Sequence, residues 1–188
     1  MADLAAARQT LLEELREHAL VIGEVTLTSG KTAEYYVDAK RALLRPAAFA
    51  AAGELLAAEA HERGAGAVGG MTMGADPLAC AAIAAPDGQD LVAFFVRKER
   101  KEHGLQRWIE GPPLEPATRC LVVEDVVTTG GSLITAIERL REEGVKLAGA
   151  LAVVDRLAGG ADAIEQAAAA PYRALVTIDE LYPDRPDR

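Results

Sequence analysis

At 188 residues, 50% apolar and 26% charged, the chain has the size of one domain and enough material to bury a sizeable core. A formal charge of −9 argues against nucleic acid or an anionic membrane held by bulk attraction. The two cysteines, Cys80 and Cys120, exclude a disulfide framework and a clustered metal site, and their apolar neighbours predict two buried, inert thiols.

The opening stretch MADLAAARQTLLEELREHAL carries acids throughout and lacks a basic start followed by an apolar run, so it does not read as a signal peptide. No apolar run reaches the length of a membrane span, and the expected location is the cytoplasm. Leu4, Leu11, Leu12 and Leu15 fall on one helical face, which predicts an amphipathic helix over 3–18. EVTLTSGKTAEYYVDA (24–39) alternates, breaks at Ser29-Gly30 and resumes with Tyr35, Tyr36 and Val37, a hairpin-like pair of strands. Pro46 then starts an alanine-rich helix that ends near Gly64, with proline in the first turn where its missing donor does no harm.

From there short apolar strands alternate with helices. AGAVGG (65–70) reads as strand, DPLACAAIAA (76–85) as helix, LVAFFV (91–96) and RCLVVED (119–125) as strands. SLITAIERLREEG (132–144) reads as helix and KLAGALAVVD (146–155) as strand. Such alternation predicts an α/β fold with a mainly parallel central sheet flanked by helices on both faces. Residues 98–113 stand apart as long, charged and irregular. A stretch of that length inside a compact domain is a lid, a binding loop or a disordered segment. From Arg97 to Arg107 the chain carries five Lys/Arg against two acids, which suggests a local anion site in an acidic protein.

LVVEDVVTTGGSL (121–133) holds the densest chemistry. Ligands of an open α/β sheet bind beyond the carboxyl ends of its strands, so Glu124 and Asp125 are expected at the rim, at the end of their strand. VVTTGGS leads into a helix whose first backbone N–H groups have no internal partner and point toward the loop with the positive end of the helix dipole. Glycines permit close approach and Thr/Ser hydroxyls add donors, which describes a phosphate cradle. It is neither a Walker loop nor a dinucleotide turn. Two carboxylates would repel a phosphate unless they serve another part of the ligand, and vicinal sugar hydroxyls suit them. The stretch therefore fits a ribose 5-phosphate unit; the plainer alternative is a capped helix after a strand with solvated acids.

VVEDVVTTGGS resembles the 5-phosphoribosyl-1-diphosphate motif of the type I phosphoribosyltransferases. FVRKERKEHG (95–104) is similar to the catalytic loop of the orotate-specific branch of that family, LTSGKTAEYYVDA (27–39) to its N-terminal hood, and VVDR (153–156) to its orotate-contacting strand end. An adenine-type member shares the phosphate motif but typically not a histidine two residues after the second loop lysine. The resemblance implies the type I phosphoribosyltransferase fold as a single domain over 1–188, with a small hood drawn largely from 1–45 plus the C-terminal segment. It implies transfer of the 5-phosphoribosyl group from 5-phospho-α-D-ribose 1-diphosphate to orotate, giving orotidine 5'-phosphate and pyrophosphate in pyrimidine biosynthesis. Lys101, His103 and Asp125 are the implied catalytic residues. Arg97, Lys98, Lys101, His103, Glu124, Asp125, Val126, Val127, Thr128, Thr129, Gly130, Gly131 and Ser132 are implied to bind the phosphoribosyl donor, and Thr128 and Arg156 the orotate. For Arg156 the plainer alternative is a salt bridge within the rim.

Mg²⁺, held mainly by the substrate, is the implied cofactor, and the implied assembly is a homodimer with shared active sites, without nucleic acid or membrane. GGMTMGADP (69–77) corresponds to the family's pyrophosphate loop, whose turn can offer backbone N–H groups to an anion. Other members carry Tyr-Lys where this chain has Thr72-Met73, and often lysine where it has Thr28, so two cationic contacts are missing. Two further readings stay open: a phosphoribosyltransferase for a purine or other base, and a regulator that senses the phosphoribosyl ligand and binds nucleic acid. The hood sequence counts against the first, and the acidic total against the second.

Overall fold

The computed structural model describes residues 3–26, 32–100 and 108–188. Helix α1 (Leu4–His18) is capped by Asp3, whose carboxylate accepts from the Ala6 N–H at 3.1 Å. Leu11, Leu12 and Leu15 turn inward with Ala7, while Leu4 stays 41% exposed, so the apolar face begins one turn later than the leucine spacing predicts. Strands β1 (Leu20–Thr26) and β2 (Thr32–Val37) pair antiparallel as a separate ribbon, with Leu20 opposite Val37 and an irregularity between Ile22 and Val25. Alternation along β2 buries Tyr35 and leaves Tyr36 partly exposed. A short helix α2 (Lys40–Leu43) follows, then α3 (Pro46–Glu62), with proline at its start as expected.

The main sheet contains β3 (Ala67–Met71), β4 (Val92–Val96), β5 (Ile109–Glu110), β6 (Arg119–Val127), β7 (Lys146–Asp155) and β8 (Tyr172–Thr177), in the order β5-β4-β3-β6-β7-β8. All neighbours are parallel except β5, which runs antiparallel to β4. Helices α4 (Asp76–Ala84), α5 (Gly131–Glu142), α6 (Ala161–Ala168) and α7 (Ile178–Leu181) complete the chain. Strand β6 shows why the sheet is covered twice. Leu121 and Val123 join the core shared with α1, α3 and α4, whereas Cys120 and Val122 join the core under α5 and α6. Among the described residues no helix is long and apolar enough to cross a membrane.

Three expectations need correction. Strand β6 does not end at Asp125: Val126 and Val127 still pair with Val154 and Asp155, because a β-branched pair continues the ladder as readily as it leaves it. The long 98–113 stretch contains β5, in which Ile109 faces Val96 and Glu110 faces Phe95; a two-residue edge strand is too short to announce itself by alternation. Cys120 is buried, but Cys80 is exposed, since α4 turns that position away from the core.

The end of the chain closes on its beginning. Thr177 and Glu180 form a capping box at α7. Glu180 also receives Arg8 of α1, and its carbonyl receives Arg16 at 2.6 Å. Tyr182 sets its ring edge-on to Tyr35, with centroids 5.4 Å apart.

Candidate active site

The acid pair lies near the carboxyl end of β6, inside the strand. Glu124 and Asp125 are each only 6% exposed, so they are buried rather than projecting at the rim. Asp125 Oδ1 accepts from the Val126 N–H at 2.9 Å, and its Oδ2 meets Lys40 Nζ at 2.9 Å. Lys40 also lies 3.3 Å from Asp38 Oδ1. Glu124 Oε2 is buried with no hydrogen-bond partner among the described residues. Burial first, then the neighbouring Asp125, pushes the Glu124 carboxyl well above its ordinary value. Burial disfavours the Lys40 ammonium, yet the hydrogen bonds and negative charges of Asp125 and Asp38 together outweigh that effect and hold its pKa above the usual lysine range. Sequence reasoning misses Lys40; its one signal is a lysine two residues after Asp38 at the end of a strand.

The two carboxylates converge on one point. A Cβ added at Gly74, in the turn between β3 and α4, would lie 2.6 Å from both Asp125 Oδ1 and Glu124 Oε1. The β3–α4 turn therefore leans directly on the acid pair. In that turn the Thr72 hydroxyl donates to Asp76 at 2.6 Å, and Met73 is 74% exposed.

Next to the acids, a cavity of about 230 Å³ is lined by Glu124 and by residues 126–133. Gly130 takes a left-handed φ of 83° directly before α5, a conformation glycine adopts without strain, and Ile164 fills the space where its side chain would stand. Thr128, Thr129, Gly131 and Ser132 are exposed into the cradle, Val126 is half-buried and Val127 is buried. Helix α5 has no side-chain cap, which leaves its first N–H groups to an anion. A larger cavity of about 300 Å³ opens between residues 109–114 and 143–145. It lies toward the amino ends of the parallel strands, away from where open sheets bind ligands.

The basic segment is held from behind. Arg139 of α5 donates to the carbonyls of Arg97 and Lys98, and its guanidinium lies 4.2 Å from the centre of the Trp108 ring. Trp108 Nε1 donates to Glu142 at 2.8 Å. Arg97 bonds Glu110 at 3.1 Å, and with Lys98 and Thr72 it lines an open cavity of about 360 Å³. Lys101 and His103 lie outside the described residues, as does Thr28.

Arg156 follows β7 directly, and its N–H donates to the Val127 carbonyl at 2.9 Å, which ties it to the start of the cradle. Its Nη2 donates to the Tyr35 hydroxyl at 3.3 Å, and the guanidinium sits 5.1 Å from that ring's centre. Among the described residues Arg156 forms no salt bridge within the rim. Asp155 accepts from the Leu157 N–H and the Tyr172 hydroxyl, at 2.7 and 2.9 Å.

A glycine-rich cradle beside paired acids, with an arginine from the next strand close by, is what the fold brings together, and comparison with known proteins shows the family. The phosphoribosyl transferase domain family matches residues 42–168. The orotate phosphoribosyltransferase of Corynebacterium glutamicum is 50% identical over 94% of this chain and 95% of its own length. The chain belongs to the orotate phosphoribosyltransferase family. A crystal structure of the Mycobacterium tuberculosis orotate phosphoribosyltransferase with Fe(III) dicitrate superposes with a TM-score of 0.84, at 43% identity, covering 94% of this chain and 99% of that one. The same enzyme with 5-phospho-α-D-ribosyl 1-diphosphate gives 0.79 at 39% identity, over 93% and 98%. In this member of the orotate phosphoribosyltransferase family, the turn at Thr72-Met73 carries no cation of its own, while Lys40, from the segment after β2, reaches the acid pair.

Proposed function

We propose that the chain transfers the 5-phosphoribosyl group from 5-phospho-α-D-ribose 1-diphosphate to orotate, releasing pyrophosphate and forming orotidine 5'-phosphate on the route to UMP. The single observation that carries this reading is the junction of the cradle at residues 126–133 with the buried pair Glu124 and Asp125 on one side and Arg156 on the other. Thr128 to Ser132 would take the 5-phosphate and the acids the ribose hydroxyls. Arg156 suits the planar orotate carboxylate, which accepts a guanidinium in two-pronged fashion. The bond between the anomeric carbon and the diphosphate oxygen breaks, its electron pair leaves with pyrophosphate, and a ring nitrogen of orotate forms the new bond as its proton passes to solvent. Positive charge grows on the ribose ring near Asp125 and negative charge on the departing group, where Arg97, Lys98, Lys101 and His103 would stabilise it.

Mg²⁺ fits the site as an ion shared with the substrate. The orphaned Glu124 Oε2 is a hard oxygen donor, and among the described residues no cluster of three or more candidate ligands could hold a metal without the substrate. When bound, it would supply charge neutralisation and orientation at the diphosphate and ribose oxygens. We further propose that residues 1–188 act as one domain, that the enzyme works in the cytoplasm, and that it is a homodimer whose partners exchange the loop bearing Lys101 and His103. The test is loss of the orotate ultraviolet band with donor and Mg²⁺, using adenine, hypoxanthine and uracil as comparators. Orotate should be consumed only with both present; turnover of a purine but not of orotate would sink the assignment.

A further inference from the structure

We propose that Asp187, acting through the Tyr35 hydroxyl, positions Arg156 for the orotate carboxylate, so that the last turn of the chain sets recognition of the base. The proposal rests on the reading of Arg156 as the orotate ligand. A tyrosine hydroxyl has one proton to give and lone pairs to accept with. Tyr35 Oη lies 3.0 and 3.1 Å from the two Asp187 oxygens and 3.3 Å from Arg156 Nη2. The carboxylate can only accept and the guanidinium can only donate, so the direction is fixed: Arg156 donates to Tyr35, and Tyr35 donates to Asp187.

Each link is held. Tyr35 is 3% exposed, with the Tyr182 ring packed nearly perpendicular to it. Asp187 is itself 56% exposed but is anchored by Arg185 Nε at 3.1 Å, and the Arg185 side chain, only 11% exposed, also pairs with Asp179. With Nη2 bonded to the Tyr35 hydroxyl and the guanidinium carbon 5.1 Å from the centre of that ring, the head group is held on one side. Arg156 Nε remains buried with no partner among the described residues. A buried donor left unmade is costly, and a planar ligand carboxylate would satisfy it. Asp187 does not touch the base in this scheme; it is a positioning residue.

Charge alone predicts the opposite effect, which makes the proposal testable. Removing an acid near the site of an anionic base should tighten orotate binding, whereas loss of a positioning residue should weaken it. We expect Asp187→Ala to raise the KM for orotate by roughly tenfold, the effect of one hydrogen bond in a charged chain, with the KM for the donor unchanged. Asp187→Asn should recover most of the loss, because its amide oxygen still accepts from Tyr35. Tyr35→Phe should reproduce the orotate defect, and adding Asp187→Ala to it should cost nothing more. An orotate KM that stays constant or falls in Asp187→Ala, or effects that add in the double variant, would overturn the proposal. Failure of the unaltered enzyme to consume orotate would instead overturn the functional reading.

Discussion

Lys40 shows how a residue with no motif of its own can govern two that have one. It places a cation against Asp125 at 2.9 Å, and its charge also works to hold down the pKa of Glu124, which burial pushes up. Both acids accept hydroxyl protons best when ionised. Lys40→Met should therefore leave Glu124 protonated to higher pH. The acidic limb of the pH profile of kcat/KM for the donor should move upward in pH, while the KM for orotate holds. An unshifted limb would show that Lys40 only fills space. The acids and the cradle are legible in the sequence because their residue types suit a sugar phosphate, and Arg156 is legible through the resemblance of VVDR to a family strand end. Lys40, Tyr182 and Asp187 are not, because what they do depends on partners 85, 147 and 152 positions away, and no local spacing records such a meeting.

Elements are legible where burial imposes a period. Strands β3, β4, β6 and β7 are apolar runs because both faces are covered, and α3 and α5 begin at Pro46 and after Gly130 for stated backbone reasons. The edge strand β5 and the four-residue α2 bury too little to leave such a mark. Sequence pattern locates the acid pair along the chain but not in space, since the ladder continues past it. At this scale the β3–α4 turn is the decisive contact. Gly74→Ala would push into two carboxylate oxygens, atoms of side chains rather than of the backbone, so the fold should survive with a melting temperature near that of the unaltered protein. The displaced acids should nevertheless lower kcat/KM for the donor by about 100-fold, the scale of a misplacement near 1 Å. Paired thermal melts and initial rates would check this, and an active Gly74→Ala protein would free the turn from that role.

For the whole molecule, the two halves of the proposed chemistry come from different places, the carboxylates from the sheet and Lys101 with His103 from the basic stretch. If that stretch serves the neighbouring subunit, mixing inactive Lys101→Ala and Asp125→Asn proteins under mild denaturation should restore activity. One site of each mixed dimer would carry both lesions and the other neither, so roughly a quarter of normal sites should return. Confirmed exchange without recovery would keep the stretch at home. The closure of α7 and Tyr182 onto α1 and Tyr35 carries a consequence in time. Strands β3 to β7 are continuous in sequence, whereas Arg8 meets Glu180 and Tyr35 meets Asp187 across separations of 172 and 152 residues. Such distant contacts form late, and a chain made from its amino end can assemble the cradle before residue 180 exists. Native-state amide exchange should find β1 and β2 opening more easily than β3, β6 and β7, and equal protection would refute this order. During synthesis, then, the proposed sugar-phosphate cradle can form before the proposed base site is complete.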